Sequence, residues 1–407
     1  MTLDEARALD AADPLRASRE RFALPEGLIY LDGNSLGALP KATPAAVARV
    51  VEGEWGNDLI AGWNAHGWID AAMRAGGRIA PLIGARTDEV LVADSTSVNL
   101  FKLLAAACMA NPERTTILSE PGNFPTDLYM AQGVAGMLAG RRVKTVAFDD
   151  LVAAIDADVA VVLLTHVHYK SGHKRDMAAI TAAAHAQGAL VLWDLSHSVG
   201  AVAVDLNGCG VDLAVGCGYK YLNGGPGAPA FLYVARGLQE HLQSPLSGWM
   251  GHAAPFDFGD DYAPAPGVAR FQCGTPPILG IAALEAGVAT FDGVDRAALF
   301  AKGQALCDLY IALVEERCEG FTLASPREAA ERGSHVSFAH PEAYAICQAL
   351  IARRVVGDFR APDVLRMGFT PLYTRFEDVW RAVDTLAAVM RLAAWDDPAY
   401  RVRAAVT

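Results

Sequence analysis

The chain has 407 residues, 52% of them hydrophobic and 20% charged, which is typical of a globular protein with a large buried core. With 46 acidic and 34 basic residues the net charge is −12, so the sequence predicts neither nucleic-acid binding nor membrane-surface binding. The start lacks the regions of a signal peptide, and no uninterrupted apolar stretch approaches the length of a membrane span. We therefore expect a cytoplasmic protein.

The cysteines and histidines give no sign of a metal site. The seven cysteines are scattered without a C-x-x-C pair, which indicates reduced and mostly buried thiols. His166, His168 and His173 lie close together but have no cysteine or carboxylate in helical register with them. The sequence predicts no bound metal.

Short apolar runs alternate with alanine-rich stretches of helical period between residues 90 and 235, a pattern typical of strand–helix units on a parallel sheet. The predicted strands are Glu89–Ala93, Thr115–Ser119, Val143–Phe148, Val159–Thr165, Ala189–Asp194, Val211–Gly216 and Phe231–Val234. The predicted helices between them are Ser97–Met109, Pro125–Leu138, Asp149–Ile155 and Asp176–Gln187. Ligands of such sheets bind beyond the carboxyl ends of the strands.

A stretch rich in proline and glycine from about 244 to 280 interrupts this pattern and predicts a long functional loop region. Beyond it, the pattern predicts helices Pro277–Phe291, Arg296–Glu316, Tyr344–Arg353 and Phe376–Leu392, with strands Ser334–Ala339 and Val364–Phe369. We expect a large domain over residues 41–285, a small α/β domain over 286–407, and an N-terminal segment, 1–40, that joins the small domain.

Lys220 is the most informative residue, because it follows an apolar strand and opens a glycine-rich turn. Asp194 ends another predicted strand, and His197 follows it closely. Pyridoxal phosphate (PLP) requires an amine that holds its aldehyde and a carboxylate that keeps its ring nitrogen protonated. A lone lysine at a turn is usually a solvated surface charge, but its pairing with Asp194 favours a PLP site.

Five other candidate residues each have a structural alternative. Thr96 and Ser97 begin a helix and suit either a bound phosphate or a plain N-cap. Phe124 could lie against a flat ring or act as a staple at a helix start. Tyr219 could serve the cofactor or only pack, and Arg366 could bind a substrate carboxylate or a structural aspartate. No dinucleotide or P-loop glycine motif is present.

Taken together, the motifs resemble those of the kynureninase family, which belongs to the fold-type I PLP enzymes of the class V aminotransferase group. The resemblance runs nearly from end to end. It is carried by Leu31-Asp32-Gly33-Asn34-Ser35-Leu36-Gly37, Thr96-Ser97-Val98-Asn99-Leu100, Phe124-Pro125-Thr126-Asp127, Trp193-Asp194-Leu195-Ser196-His197, Gly218-Tyr219-Lys220-Tyr221-Leu222-Asn223, Gly248-Trp249-Met250-Gly251-His252, Thr275-Pro276-Pro277 and Leu365-Arg366.

The resemblance implies a fold and a role for each matching residue. The fold is α/β, with a mainly parallel central sheet, helices on both faces and a smaller C-terminal domain. Lys220 would hold PLP covalently, Asp194 would pair with its ring nitrogen and Phe124 would stack on its ring. Further cofactor contacts are implied for Thr96, Ser97, Asp127, Thr165, His197 and Tyr219, with Trp249 and Thr275 reaching the phosphate from the neighbouring subunit of a homodimer.

The resemblance also implies an activity, the hydrolysis of L-kynurenine to anthranilate and L-alanine in tryptophan catabolism, with Arg366 binding the substrate α-carboxylate. Gly274-Thr275 departs from the Ser-Asn of animal members and is similar to bacterial enzymes that prefer kynurenine over 3-hydroxykynurenine. A cysteine desulfurase, a selenocysteine lyase, an aminotransferase or a non-catalytic cofactor-binding protein remain alternatives.

Overall fold

The structure, a computed structural model, describes residues 1–403 of the chain. The strands in chain order are β1 Ile29–Tyr30, β2 Val90–Val92, β3 Thr116–Ser119, β4 Arg142–Thr145, β5 Val159–Thr165, β6 Leu190–Asp194, β7 Leu213–Gly216, β8 Phe231–Val234, β9 Thr322–Leu323, β10 His335–Ala339, β11 Val355–Val356, β12 Asp358–Arg360 and β13 Val364–Gly368. A seven-stranded sheet forms the centre, in the order β2-β8-β7-β6-β5-β3-β4. β8 runs antiparallel to both of its neighbours, and the other neighbouring strands are parallel.

Most of the central strands are buried along their whole length, as expected where helices cover both faces of a parallel sheet. The α-helices in chain order are α1 Leu3–Ala12, α2 Thr43–Ala48, α3 Gly56–Asp58, α4 Gly62–Ala65, α5 Ala71–Ile79, α6 Thr96–Ala110, α7 Pro125–Met137, α8 Met177–Ala186, α9 Ile278–Val288, α10 Arg296–Arg317, α11 Ala343–Ile351 and α12 Phe376–Arg391. The predicted mainly parallel α/β fold is confirmed.

A second, antiparallel sheet of four strands, in the order β12-β13-β10-β9, has its own hydrophobic core with α10, α11 and α12. The N-terminal segment contacts this unit, because β1 pairs with β11 and α1 packs against α12. The proposed domain boundaries at 40 and 285 stay a prediction, and the last four residues of the expected small domain lie outside the described range.

One predicted helix is wrong. Asp149–Ile155 forms two short 3₁₀ turns, Phe148–Asp150 and Val152–Ala154, instead of an α-helix. Nucleating a helix is costly, and a segment of this length has too few hydrogen bonds to repay that cost unless tertiary packing supports it.

Helix α10 is long and apolar enough to cross a membrane by length and composition, which the sequence pattern did not anticipate. Ten of its residues are buried, and the helix packs against α12 and β10. Its place in the hydrophobic core beside the four-stranded sheet accounts for its composition.

Candidate active site

Eight of the residues predicted from the sequence line one cavity of about 160 Å³ at the carboxyl edge of the central sheet. They come from the ends of β5, β6 and β7 and from the starts of α6 and α7, because the carboxyl ends of parallel strands meet at one edge. These residues are Thr96, Ser97, Phe124, Thr165, Asp194, His197, Tyr219 and Lys220.

The Lys220 side chain is buried and hydrogen-bonded to a histidine. Its Nζ atom lies 2.9 Å from Nε2 of His197. Burial, reinforced by the charge of Lys220, lowers the pKa of His197 well below its usual range. The imidazole is therefore neutral and can accept a hydrogen bond from the Lys220 ammonium, which keeps the amine in place without an opposing charge.

The Asp194 carboxylate is held by Ser196. The backbone N–H and the hydroxyl of Ser196 both donate to Oδ1 of Asp194, at 2.8 and 2.6 Å. Burial raises the pKa of Asp194, and the donors of Ser196 and the charge of Lys220 oppose that rise. Oδ1 is thus occupied by Ser196, while hydrogen bonds and a nearby cation favour the charged form of the carboxyl group.

Asp127 lies fully buried at the start of α7, behind the lining of the cavity. Neither of its carboxyl oxygens has a hydrogen-bonding partner among residues 1–403. Burial and the charge of Asp194 raise its pKa well above the usual range. Of these two carboxyl groups, Asp194 is the better one to carry a negative charge and Asp127 the better one to stay protonated.

The start of α6 provides donors at one end of the cavity. Ser95 is the N-cap of the helix, and its Oγ accepts from the N–H of Val98. The hydroxyl of Ser97 lies 2.7 Å from that of Thr126, at the start of α7. Hydroxyls and free N–H groups at a helix N-terminus suit an anion such as phosphate.

Aromatic rings and a threonine complete the lining. The ring centroid of Phe124 lies 5.6 Å from Lys220 Nζ. The same ring packs edge-on against the ring of Tyr169. The ring of Tyr219 lies 5.8 Å from the same nitrogen, and burial raises the pKa of its phenol. The hydroxyl of Thr165 is buried and has no partner in the described part of the chain.

Arg366 is not in the lining of this cavity. Its guanidinium is buried and forms a two-point ion pair with Asp358, with further hydrogen bonds to Ser35 and the carbonyl of Tyr169. Of the two roles considered for Arg366 from the sequence, the structure therefore shows the pairing with a structural aspartate. Arg360 binds the same Asp358 at 2.7 Å and is more exposed than Arg366.

The structure of one chain does not bring Trp249 to the cavity. Trp249 is 43% exposed and packs edge-on against Phe256 in the loop region. Thr275 lines an adjoining cavity of about 570 Å³ together with Thr96 and Tyr219. Their predicted roles across a subunit interface stay a prediction.

Sequence reasoning missed three residues that organise the site. Ser196 follows Asp194 by two positions, and at this spacing an aspartate side chain commonly accepts a hydrogen bond from the backbone N–H. The sequence therefore contained a signal for this contact. Asp358, the partner of Arg366, had no signal in the sequence. The ring of His335 lies 5.4 Å from that of His197, yet His335 begins β10 of the second sheet and His197 follows β6 of the central sheet, far away in sequence.

Comparisons with known proteins give the family. A sequence profile described as the kynureninase C-terminal domain matches residues 299–386. A kynureninase from Pseudomonas fluorescens is 52% identical over 414 residues, covering all of both chains. The chain belongs to the kynureninase family. This confirms the resemblance that the motifs indicated.

Solved structures share the fold. The apo cysteine desulfurase of Thermococcus onnurineus NA1 has a TM-score of 0.79 at 19% identity, over 92% of this chain and 97% of that one. A C-DES variant described with glycine covalently linked to its PLP cofactor has a TM-score of 0.76 at 17% identity, over 91% and 98%. At these identities the likeness concerns the fold alone.

The residues present in the cavity of this member of the kynureninase family fit PLP. A buried amine, a carboxylate, an aromatic face and a helix N-terminus stand around one space. Thr165 also offers a buried hydroxyl without a partner in residues 1–403. These groups match the aldehyde, ring nitrogen, ring face and phosphate of the cofactor.

Proposed function

We propose that this protein is a PLP-dependent hydrolase that cleaves the Cβ–Cγ bond of L-kynurenine to give anthranilate and L-alanine, a reaction of tryptophan catabolism. The observation that carries the proposal is the convergence of Lys220, Asp194 and Tyr219 on one cavity in a kynureninase-family chain. Gly274-Thr275 supports a preference for kynurenine over 3-hydroxykynurenine, which would be accepted more slowly.

When bound, PLP supplies an electron-accepting ring that stabilises negative charge on the substrate carbons. The amine of Lys220 would hold the aldehyde of the cofactor and would remove the α-proton of the substrate. Neutral His197 would give that amine a hydrogen-bonding partner. Asp194 would keep a proton on the ring nitrogen, with Ser196 fixing the orientation of the carboxylate.

Phe124 would lie against the ring, and Thr96, Ser97 and Thr165 would bind the phosphate and the rest of the cofactor. Asp127, behind Asp194, would support the nitrogen end. Arg366 would bind the α-carboxylate of the substrate, which requires its guanidinium to serve both the substrate and Asp358.

The reaction consumes one water molecule. Water adds to the γ-carbonyl carbon, the Cβ–Cγ bond breaks, Cγ leaves as the carboxylate of anthranilate and Cβ gains a proton. Tyr219 is the proposed donor of that proton, because its raised pKa keeps the phenol protonated. The product amino acid is alanine.

We also propose a cytoplasmic homodimer with shared active sites. Support for the dimer comes from the exposed Trp249 and its aromatic neighbours Phe256 and Phe258, which form an apolar surface that a second copy would cover. Seven free cysteines fit a reducing compartment.

The closest rival, a cysteine desulfurase, requires a reactive thiolate on an accessible loop. All seven cysteines lie within the described residues, and none is exposed. Burial raises the pKa of every one of their thiols. Burial is the largest cause at each thiol and outweighs the nearby cations, so none is activated as a catalytic cysteine would be, which favours the hydrolase.

The decisive experiment is to incubate the protein and PLP with L-kynurenine and to follow anthranilate by its fluorescence. Lys220→Ala should abolish anthranilate release, whereas Lys144→Ala, on the edge strand β4, should leave it unchanged. Release of sulfide from L-cysteine, or conversion of the cofactor to its amine form without anthranilate, would move the assignment to a desulfurase or an aminotransferase.

A further inference from the structure

Lys102 is a fully buried lysine outside the cavity that the proposed reaction uses. It lies on α6, and its Nζ reaches back past the start of its own helix. The ammonium donates to Oδ2 of Asp94 at 2.8 Å and to the carbonyl of Phe271 at 2.7 Å. A buried charge is tolerated only where it is paired and hydrogen-bonded, so this lysine holds its two partners together.

The first partner, Asp94, forms the turn between β2 and α6. Its φ is +49°, in the left-handed region that residues other than glycine enter rarely. This turn leads into Ser95, the N-cap, and then into Thr96 and Ser97. The conformation of Asp94 therefore sets where the helix N-terminus and its hydroxyls point.

The second partner of Lys102, the carbonyl of Phe271, lies just before another loop. Four residues after it comes Thr275, which lines the same adjoining cavity as Thr96 and Tyr219. Cys273, between them, donates its thiol to Oδ2 of Asp94 at 3.6 Å. One carboxylate and one ammonium thus join the loop before α6 to the loop that carries Thr275.

We propose that Lys102 is a positioning residue for the cofactor phosphate: through Asp94 it fixes the loop that presents Thr96 and Ser97, and through Phe271 the loop that carries Thr275, whose predicted contact is the phosphate of the neighbouring subunit. This inference rests on the proposed PLP function and extends it to a residue that touches neither the cofactor nor the substrate. Without the ammonium, Asp94 loses the ion pair that stabilises its left-handed turn, and both loops lose a shared anchor.

Lys102→Met tests the proposal, with cofactor affinity as the readout. The variant should weaken PLP binding about tenfold or more, because the loss of a charged hydrogen bond relaxes the binding groups. The measurement is equilibrium dialysis with PLP, together with the visible absorbance of the bound cofactor, without any substrate. Lys302→Met is the matched control, since Lys302, on α10, is also buried and pairs with buried Asp13 at 2.7 Å.

Both variants should lower the thermal midpoint, but only Lys102→Met should weaken PLP binding. Equal PLP affinity in Lys102→Met and the parent protein would overturn the proposal. Equal losses in both variants would also overturn it, since affinity would then follow stability alone. A parent protein that does not bind PLP would contradict the proposed function instead.

Asp94→Asn keeps the inference testable where Lys102→Met does not fold. Asparagine tolerates the left-handed region, so this variant removes the ion pair and retains the turn preference. It should weaken PLP binding to a similar degree, and the double variant should be no weaker than the single ones. Unchanged affinity in Asp94→Asn would show that the ion pair does not position the phosphate loops.

Discussion

At the scale of single residues, the charge of Asp194 depends on its neighbour Ser196. Two donors from Ser196 converge on one carboxylate oxygen, and they oppose the burial that raises the pKa of this group. Since the ring nitrogen of the cofactor needs an ionised partner, the Ser196 hydroxyl should matter for turnover although it touches no substrate.

Ser196→Ala should therefore lower kcat about tenfold, because one of the two donors that favour the carboxylate is lost while the backbone donor remains. Ser198→Ala is a suitable control, since this buried hydroxyl bonds Nδ1 of His166, 2.9 Å away, instead of Asp194. Anthranilate formation at saturating kynurenine gives the measurement. Equal activity in Ser196→Ala and the control would contradict this role.

Asp194→Asn goes further and removes the charge itself. We expect a fall in turnover of several orders of magnitude, because the ring nitrogen would lose both its proton and a charge-assisted hydrogen bond. Near-normal turnover would count against the assignment of Asp194.

The ion pair between Arg366 and Asp358 allows the structural role of Arg366 to be tested separately from its proposed role in substrate binding. Arg366→Gln leaves buried Asp358 with the more exposed Arg360 and the Ser35 hydroxyl, so we expect a loss of stability of up to about 3–5 kcal/mol together with a raised KM. Adding Asp358→Asn removes the charge that has lost its buried partner and should restore part of the stability while KM stays high. Urea unfolding and KM measurements on both variants distinguish the two roles of Arg366. Recovery of a normal KM in the double variant would show that Arg366 does not bind substrate.

At the scale of elements, the N-terminal segment meets β12 and β13 through a pair of acidic groups. Burial and the charge of Asp358 raise the pKa of Asp32 to about 7, while the Arg366 guanidinium holds the pKa of Asp358 at about 2. Asp32 therefore binds more protons in the folded than in the unfolded state between about pH 4 and pH 7, and its contribution to stability falls as pH rises through that window.

Asp32→Asn removes this titration. Relative to the parent protein, the variant should gain roughly 2–4 kcal/mol of stability between pH 4.5 and pH 8, measured by urea unfolding at both values. Asp4→Asn, at an exposed position on α1, should show no such trend. A stability difference independent of pH would mean that Asp32 is ionised in the fold at both values.

The same elements show how far the sequence alone could lead. Period and composition predicted the central strands to within a few residues, and motifs placed Lys220, Asp194 and Thr165 at strand ends, because parallel strands impose that edge. The contacts between residues that are far apart in the sequence were not predictable. Asp358 meets Arg366, and His335 meets His197, through tertiary packing that leaves no trace in local spacing. The Asp149–Ile155 helix failed because helix propensity without packing is a weak signal.

At the scale of the whole molecule, the position of Trp249 requires a second copy for its predicted role. It is exposed, lies in a separate aromatic cluster, and does not line the cavity that holds Lys220. In the proposed homodimer it would reach the phosphate of the neighbouring site. The sites of such a dimer are each built from two chains, so two different defects can complement each other.

Mixing Lys220→Ala with Trp249→Ala subunits tests this arrangement. If Trp249 acts on the partner's site, each mixed dimer contains one site with both residues intact and one with neither. Random reassortment should then give about a quarter of the parent activity, although each variant alone is nearly inactive. The measurement is anthranilate release after the two proteins are dissociated together and reassembled. If Trp249 acts within its own chain, no intact site can form and the mixture stays as inactive as its components.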